Sequence, residues 1–410
     1  MFKTPLVYYN VLKKDFLAVL VVVVNTFSWY IPLYVLFENM LLESQVEFSI
    51  QIMTLGVHYV GAIGFAFVGA TLVKRTKRNT LLSLWMLLGV IASATFVVLD
   101  INNVAYLLSV SFFLGVSVGV GLPFGLAYFG DNTCEENRGR LGGITFFVSG
   151  VSILLIGLLS SGSAFTTVAL IFSVWRGLGL ILFLLVRPKQ EPEKNKIEVS
   201  YRRAMIDKSF VLYLVPWIMF CLVNFLEHPI ITNSFGAEFA VYMSIAEFGI
   251  GGFSALVGGW FADSVGRKRV IIFGFITLGI GFAILGLFSN ILLLRYLYIV
   301  LDGIAWGGIF ILMFYLVIWA DLARNRSKEK YYLVGVLPFI VSGYIQVLFT
   351  PYAQSIPISV AFSLASFFLF LAVLPLLYAP ETLSEKEIEK KRLQKYLEDV
   401  EKVKKKYEKQ

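Results

Sequence analysis

Twelve apolar runs, most of them twenty residues or longer, follow one another through the chain, at 15–37, 48–73, 80–99, 104–130, 141–161, 165–186, 209–231, 239–262, 270–289, 293–320, 331–352 and 357–378. About 20 helical residues cross the roughly 30 Å of bilayer hydrocarbon. Lipid offers backbone groups no partner, so only helices or closed barrels span it. Barrel strands alternate in polarity over about ten residues. These runs are longer and do not alternate, so they predict an all-α integral membrane protein of twelve transmembrane helices. Composition agrees: 58% of residues are hydrophobic and 15% charged, against about 45–50% and 25% in soluble domains.

Charge then orients the chain. Of the 35 Lys and Arg residues, all but Arg176 and Arg295 fall in the N-terminal segment, the loops after even-numbered spans, the stretch 187–208, or the tail from 381. Basic loops stay in the cytoplasm, which predicts a multi-pass cell-membrane protein with both termini cytoplasmic. The net charge of +8 follows from that topology and from attraction to an anionic inner leaflet, so no nucleic-acid partner is implied. The N-terminus shows no small-residue cleavage site, and the first run reads as a retained helix. Cys134 lies in an inner loop and Cys221 in a span. That placement predicts no disulfide, and two cysteines make no metal site. No cofactor is expected.

The stretch 187–208 carries Pro188, Pro192 and mixed charge, and it separates six spans from six. The expected organisation is a bundle over 1–186, a cytoplasmic linker over 187–208, a second bundle over 209–380 and a charged helical tail over 381–410. The loop after the eighth span, Gly259-Trp260-Phe261-Ala262-Asp263-Ser264-Val265-Gly266-Arg267-Lys268-Arg269, reads G-x-x-x-D-x-x-G-R-K. The first half has a degenerate counterpart at 69–78, where Val73 stands for Asp263 and Thr76 for Gly266. After the fourth span comes Tyr128-x-x-Asp131-x-x-Cys134-x-x-x-Arg138-Gly139; after the tenth, Asp321 precedes Lys328 by the same seven residues. Ala379-Pro380-Glu381-Thr382-Leu383 closes the last span.

Together these elements resemble the major facilitator superfamily of transporters. The 128–139 pattern is similar to the Y-x-x-E-x-x-P-x-x-x-R-G of its sugar porters, with Asp131 for Glu and Cys134 for Pro. Pro380-Glu381-Thr382 looks like their P-E-T element. The glutamine-rich seventh span of sugar porters is absent; Cys221-Leu222-Val223-Asn224-Phe225 stands there. The resemblance implies two pseudo-symmetric six-helix bundles that rock around a midplane substrate site. It also implies a cytoplasmic gate of salt bridges drawn from Asp131, Arg138, Asp263, Gly266, Arg267 and Asp321.

An ionisable side chain at the bilayer centre costs about 2.5–3.5 kcal/mol on insertion scales and usually has a use or a partner. At about 1.5 Å per residue, Glu247, Asp302, His58 and Arg176 fall near the midplane. In the family that the chain resembles, the first, fourth, seventh and tenth helices line the cavity. That ranks Asp302 first as a substrate or proton site and Glu247 next, against the alternative of structural ion pairs. His58 reads either as a partner of Glu247 across the interface or as a hydrogen-bonded core histidine. Arg176 reads either as a fork for a carboxylate substrate or as a structural pair. Asn25, Asn224, Glu227 and Gln346 complete the candidate site, with Glu227 and His228 three and four residues after Asn224. Trp306, four residues after Asp302, joins them; ordinary interhelical packing is the alternative for each. In the tail, Leu393, Tyr396, Val400, Val403 and Tyr407 make a short heptad seam, or else a solvated helix.

No ATP-binding motif is present, so an ion gradient, proton or sodium, is the expected energy source. The leading expectation is proton-coupled symport of a small polar metabolite, sugar or polyol ahead of organic acid, by a monomer in the bilayer. The alternative is an efflux antiporter of amphipathic compounds; its Gly-Pro element would need a proline in the fifth span, where Gly142, Gly143, Gly150 and Gly157 stand without one. A membrane sensor is the third reading. Two histidines and no clustered nucleophile and base argue against an enzyme.

Overall fold

A computed structural model of the chain describes residues 13–73, 76–160, 163–186 and 197–384, with positions 389, 393 and 400 of the tail. Twelve of its helices are long and apolar enough to cross a membrane: Lys14–Glu43, Phe48–Leu72, Arg78–Val98, Val104–Asp131, Arg138–Ser160, Phe165–Val186, Lys208–Phe235, Ala237–Val265, Arg267–Phe288, Leu292–Ala323, Lys328–Ser355 and Ile358–Tyr378. Each apolar run of the sequence falls on one of them. Several helices outrun their apolar core. Pro32, Pro216 and Pro229 sit inside helices without ending them, as neighbouring helices allow within a membrane bundle.

The first six spans pack among themselves: second on fourth, third on sixth, first on fifth and sixth. The last six do likewise: ninth on twelfth, eighth on tenth, seventh on eleventh. The two groups meet where the fifth span lies on the eighth and the eleventh on the second and fourth. The fifth–eighth seam is built from small residues. A Cβ added at Gly139 would come 2.6 Å from the Gly259 carbonyl oxygen, and one at Gly150 would come 3.1 Å from that of Phe248. Gly143 lies against the Ala255 carbonyl. Lipid supplies no hydrophobic drive between helices, so close backbone approach of this kind is what holds them.

The tenth span changes winding. It is α-helical to Ala305, π-helical from Trp306 to Val317 and α-helical again over Ile318–Ala323. Within the π segment Gly307 and Gly308 meet Gly251 and Gly258 of the eighth span.

At the end of the bundle that carries the basic loops, the linker re-enters the described structure at Ile197. Ile197 bridges Arg326 in parallel fashion. A short helix, Tyr201–Ile206, follows; Ser200 caps it by accepting the Arg203 N–H at 3.3 Å. The linker stretch 187–196 lies outside the described residues, as does most of the heptad tail; Leu393 and Val400 are helical and exposed.

Candidate functional site

Three groups of side chains carry the chemistry. The first is an ionic network at the basic end. Gly266 adopts φ +108°, a region open to glycine and strained for other residues. A Cβ there would also strike the Glu381 carboxylate. The turn ends the eighth helix and starts the ninth at Arg267, so Asp263 and Arg267 pair at 2.8 Å, both fully buried. Asp263 then reaches into the other half. It accepts the backbone N–H groups of Gly139 at 2.9 Å and Arg140 at 2.8 Å. These are unsatisfied donors at the start of the fifth helix, where a carboxylate also meets the helix dipole. Glu381 does the same for the ninth helix, accepting from Arg267 N–H at 2.8 Å and Lys268 N–H at 3.2 Å.

Asp321 is the hub. It pairs with Arg138 of the other half and with Arg267 Nε at 3.3 Å, and it accepts from the Thr382 hydroxyl at 3.2 Å. Arg138 also donates to the carbonyls of Gly130 and Thr133, so its guanidinium is held from several sides. Asp131 pairs with Arg78 of its own half and with Lys328 Nζ of the other at 2.7 Å; Arg78 also pairs with Glu329. Glu135 accepts the Ser384 N–H at 2.7 Å. Burial pushes its carboxyl above the usual range, partly offset by that hydrogen bond. A cavity of ≈ 820 Å³ opens beside this network, lined by Glu135, Arg138, Asp321, Arg324 and Glu381 among others.

The second group lies midway along the second half. The Tyr298 hydroxyl donates to Glu227 at 3.0 Å. Asp302 is buried and stands in side-chain hydrogen-bond contact with Glu247, a contact that needs one of the two carboxyls protonated; no other donor reaches either Asp302 oxygen or Glu247 Oε1. The backbone of Glu247 lies 3.6 Å from a Cβ position at Gly303, beside Asp302. Among the described residues, no cation comes within ion-pair distance of the three carboxyls.

The third group faces the seam between the halves. His58 Nδ1 lies 3.2 Å from the Ser111 carbonyl and Nε2 lies 2.8 Å from the Tyr30 hydroxyl. A carbonyl accepts only, so Nδ1 carries the proton and Nε2 accepts from the phenol. Tyr34 lies tilted against His58, ring centroids 4.8 Å apart, and its hydroxyl donates to that of Tyr59 at 2.9 Å. Rings from the other half complete the patch: Tyr344 lies 5.4 Å from Tyr59, and Tyr315 lies 5.7 Å from Phe27.

The sequence matches the profile of the Major Facilitator Superfamily over residues 18–318. The chain belongs to that superfamily. Solved superfamily structures share its fold. The proton:xylose symporter XylE bound to 6-bromo-6-deoxy-D-glucose aligns with TM-score 0.70 at 15% identity, over 92% of this chain and 98% of that one. A double-tryptophan XylE mutant aligns with TM-score 0.70 at 16% identity and the same coverage. The human organic anion transporter MFSD10 (TETRAN) aligns with TM-score 0.64 at 14% identity, over 89% of this chain and 98% of that one. No curated protein matches the sequence significantly.

In this superfamily member the structure gathers Asp131, Arg138, Asp263, Arg267 and Asp321 at one end, with Gly266 as the turn between them. Glu227, Glu247 and Asp302 share the middle of the second half. It sets Asn25 and Arg176 apart from both groups. Asn25 and Arg176 bond to each other inside the first half: Arg176 Nη1 donates to Asn25 Oδ1 at 2.8 Å and to the Thr26 hydroxyl at 3.0 Å. The guanidinium sits over the rings of Trp29 and Trp85 at 4.6 and 4.9 Å. Trp306 packs edge-on against Phe146 and Phe248. Among the described residues, the side chains of Asn224 and Gln346 make no hydrogen bond. Sequence reasoning missed the phenols of Tyr30, Tyr34, Tyr59 and Tyr344, though Phe27, Tyr30 and Tyr34 share one helix face by spacing. It also missed Arg78 and Glu381 as network members; both lay in motifs already noticed.

Proposed function

We propose that the chain is a secondary active transporter working by alternating access, a proton-coupled symporter of a small uncharged polar metabolite such as a sugar or polyol. The observation that carries this reading is the ionic network, which ties the two halves together at one end, the only such end among the described residues. In the proposal this is the cytoplasmic gate in its closed form, and both halves must part there for substrate to pass. Asp131, Arg138, Asp263, Arg267 and Asp321 are the gate residues.

Glu227, Glu247 and Asp302 supply the proton. Three carboxyls near one another, two buried and Glu247 half-buried, with no cation beside them among the described residues, favour a shared proton over full ionisation, because like charges disfavour ionisation. Asp302 is the principal carrier. Substrate binds the aromatic patch between the halves, where ring faces suit the apolar side of a sugar and the hydroxyls of Tyr34, Tyr59 and Tyr30 suit its polar edge. An uncharged substrate is favoured over a carboxylate, because Arg176 is engaged with Asn25 and two tryptophans rather than facing that patch.

The test uses protein reconstituted in vesicles, with labelled sugars, polyols and carboxylates and an imposed inward proton gradient. Wild type is expected to accumulate an uncharged member of the panel. Asp302→Asn is expected to lose accumulation while keeping counterflow exchange. Accumulation by Asp302→Asn equal to wild type removes Asp302 from coupling. Accumulation driven by a sodium gradient alone replaces the proton, and uptake restricted to carboxylates replaces the substrate class.

A further inference from the structure

The linker helix carries a feature that transport does not require. Tyr201 and Ala204 face inward: Ala204 is buried, and the Tyr201 ring lies 5.6 Å from that of Phe67 and 5.3 Å from Lys330 Nζ. Arg202, Arg203 and Ile206 face outward and, with Ser200, Asp207 and Arg326, line a cavity of ≈ 390 Å³. Asp207 is the one carboxylate there, and Arg326 engages it at 3.1 Å. The same Arg326 nitrogen donates to the Tyr331 hydroxyl at 2.5 Å, so this guanidinium is oriented in advance. Arg202 and Arg203 are exposed and have no ion pair among the described residues. Three guanidiniums thus face one carboxylate. Beside them, Met205 and Ile206 are 51% and 67% exposed. The helix ends one residue before Asp207, which caps the seventh span by accepting the Ser209 N–H at 3.0 Å. It therefore lies where a span enters the bilayer.

We infer that this cavity binds the headgroup of an acidic phospholipid. The guanidinium fork suits phosphate oxygens, which it can engage in paired hydrogen bonds. The exposed Met205 and Ile206 continue the site into the level where acyl chains begin, as on interfacial helices. A basic concavity with an apolar lip fits a charged head on an apolar tail better than it fits a free ion. The inference concerns binding alone and stands apart from the transport reading.

Thermal unfolding of the purified full chain in detergent tests it, since a ligand that binds only the folded form raises stability. The probes are dioctanoyl phosphatidylglycerol, dioctanoyl phosphatidylcholine and inorganic phosphate. Phosphatidylglycerol is expected to raise the midpoint and phosphatidylcholine to leave it. Arg202→Gln with Arg203→Gln is expected to lose most of the rise with an unchanged lipid-free midpoint, and the Lys pair at both sites to keep part of it. Arg269→Gln, an exposed arginine in the first turn of the ninth helix at the same end, is expected to keep it all. An unchanged rise in the Gln pair, or an equal loss in Arg269→Gln, overturns the site in favour of diffuse attraction. An equal rise with phosphatidylcholine overturns headgroup selection, and an equal rise with inorganic phosphate overturns the lipid as occupant.

Discussion

Asp263 holds two kinds of partner at once: a buried guanidinium at the start of the next helix and two backbone donors on the other half. An amide in its place keeps the shape, loses the charge and turns an N–H₂ toward one of those donors. Removing one member of a buried pair costs about 3–5 kcal/mol, because the other charge is left uncompensated. Asp263→Asn is therefore expected to lower the unfolding midpoint and to loosen this end of the bundle. Cys134, half-buried in the adjoining loop, is a native reporter. Its reaction with an impermeant maleimide should be faster in Asp263→Asn than in wild type, and an unchanged rate would make Asp263 a turn residue only. Glu135 gives the pH dependence of the same region. Its pKa in this structure is raised from 4.5 by burial, so on the proposed cycle, with this as the closed form, closure binds the proton more tightly than opening, in which Glu135 is hydrated. Closure is thus favoured as pH falls toward and through that raised pKa, and the gain is lost as pH rises above it. With each rate divided by the thiolate fraction, which itself rises with pH, Glu135→Gln should remove the remaining pH dependence of Cys134 labelling across that window.

At the scale of elements, the seam between the fifth and eighth spans and the π segment of the tenth rest on absent side chains. Leu at Gly307 would drive a side chain into the backbone of Gly251, whose Cα lies 2.6 Å from an added Cβ. Overpacking of this kind costs about 1–3 kcal/mol, and more where backbone is struck. Gly307→Leu is expected to lower the unfolding midpoint by several degrees, whereas Gly64→Leu, with open space around it, should leave it unchanged. The spans themselves were legible in the sequence because lipid demands a helix about twenty residues long, and that demand is local. The inner-loop residues were legible for a similar reason: Asp263, Gly266 and Arg267 lie within one turn of each other. The Asn25–Arg176 bond was not, since its partners are 151 residues apart and neither helix carries a pattern that points at the other. Trp306 was read as a neighbour of Asp302 by α-helical spacing. The step between them is α-helical, with the Trp306 N–H on the Asp302 carbonyl, and π winding begins only beyond it; the Trp306 ring packs edge-on against Phe146 and Phe248.

For the whole molecule, the distribution of ion pairs between interior and surface has a consequence in solution conditions. Arg267 with Asp263, and Arg138 with Asp321, are almost wholly inaccessible to water in this form. Dissolved ions screen over a distance that falls from about 10 Å at 0.1 M to about 3 Å at 1 M, and they act on groups that water reaches. Salt thus does little to the clasped form. If the halves part as proposed, each of these charges becomes hydrated and gathers counterions of its own. Concentrated electrolyte is expected to shift the population toward the separated form, seen as faster Cys134 labelling. A neutral osmolyte at equal osmolarity should not reproduce the shift. The protein would then read the ionic composition of the compartment at that end, with a sensitivity confined to one of the two shapes of the proposed cycle.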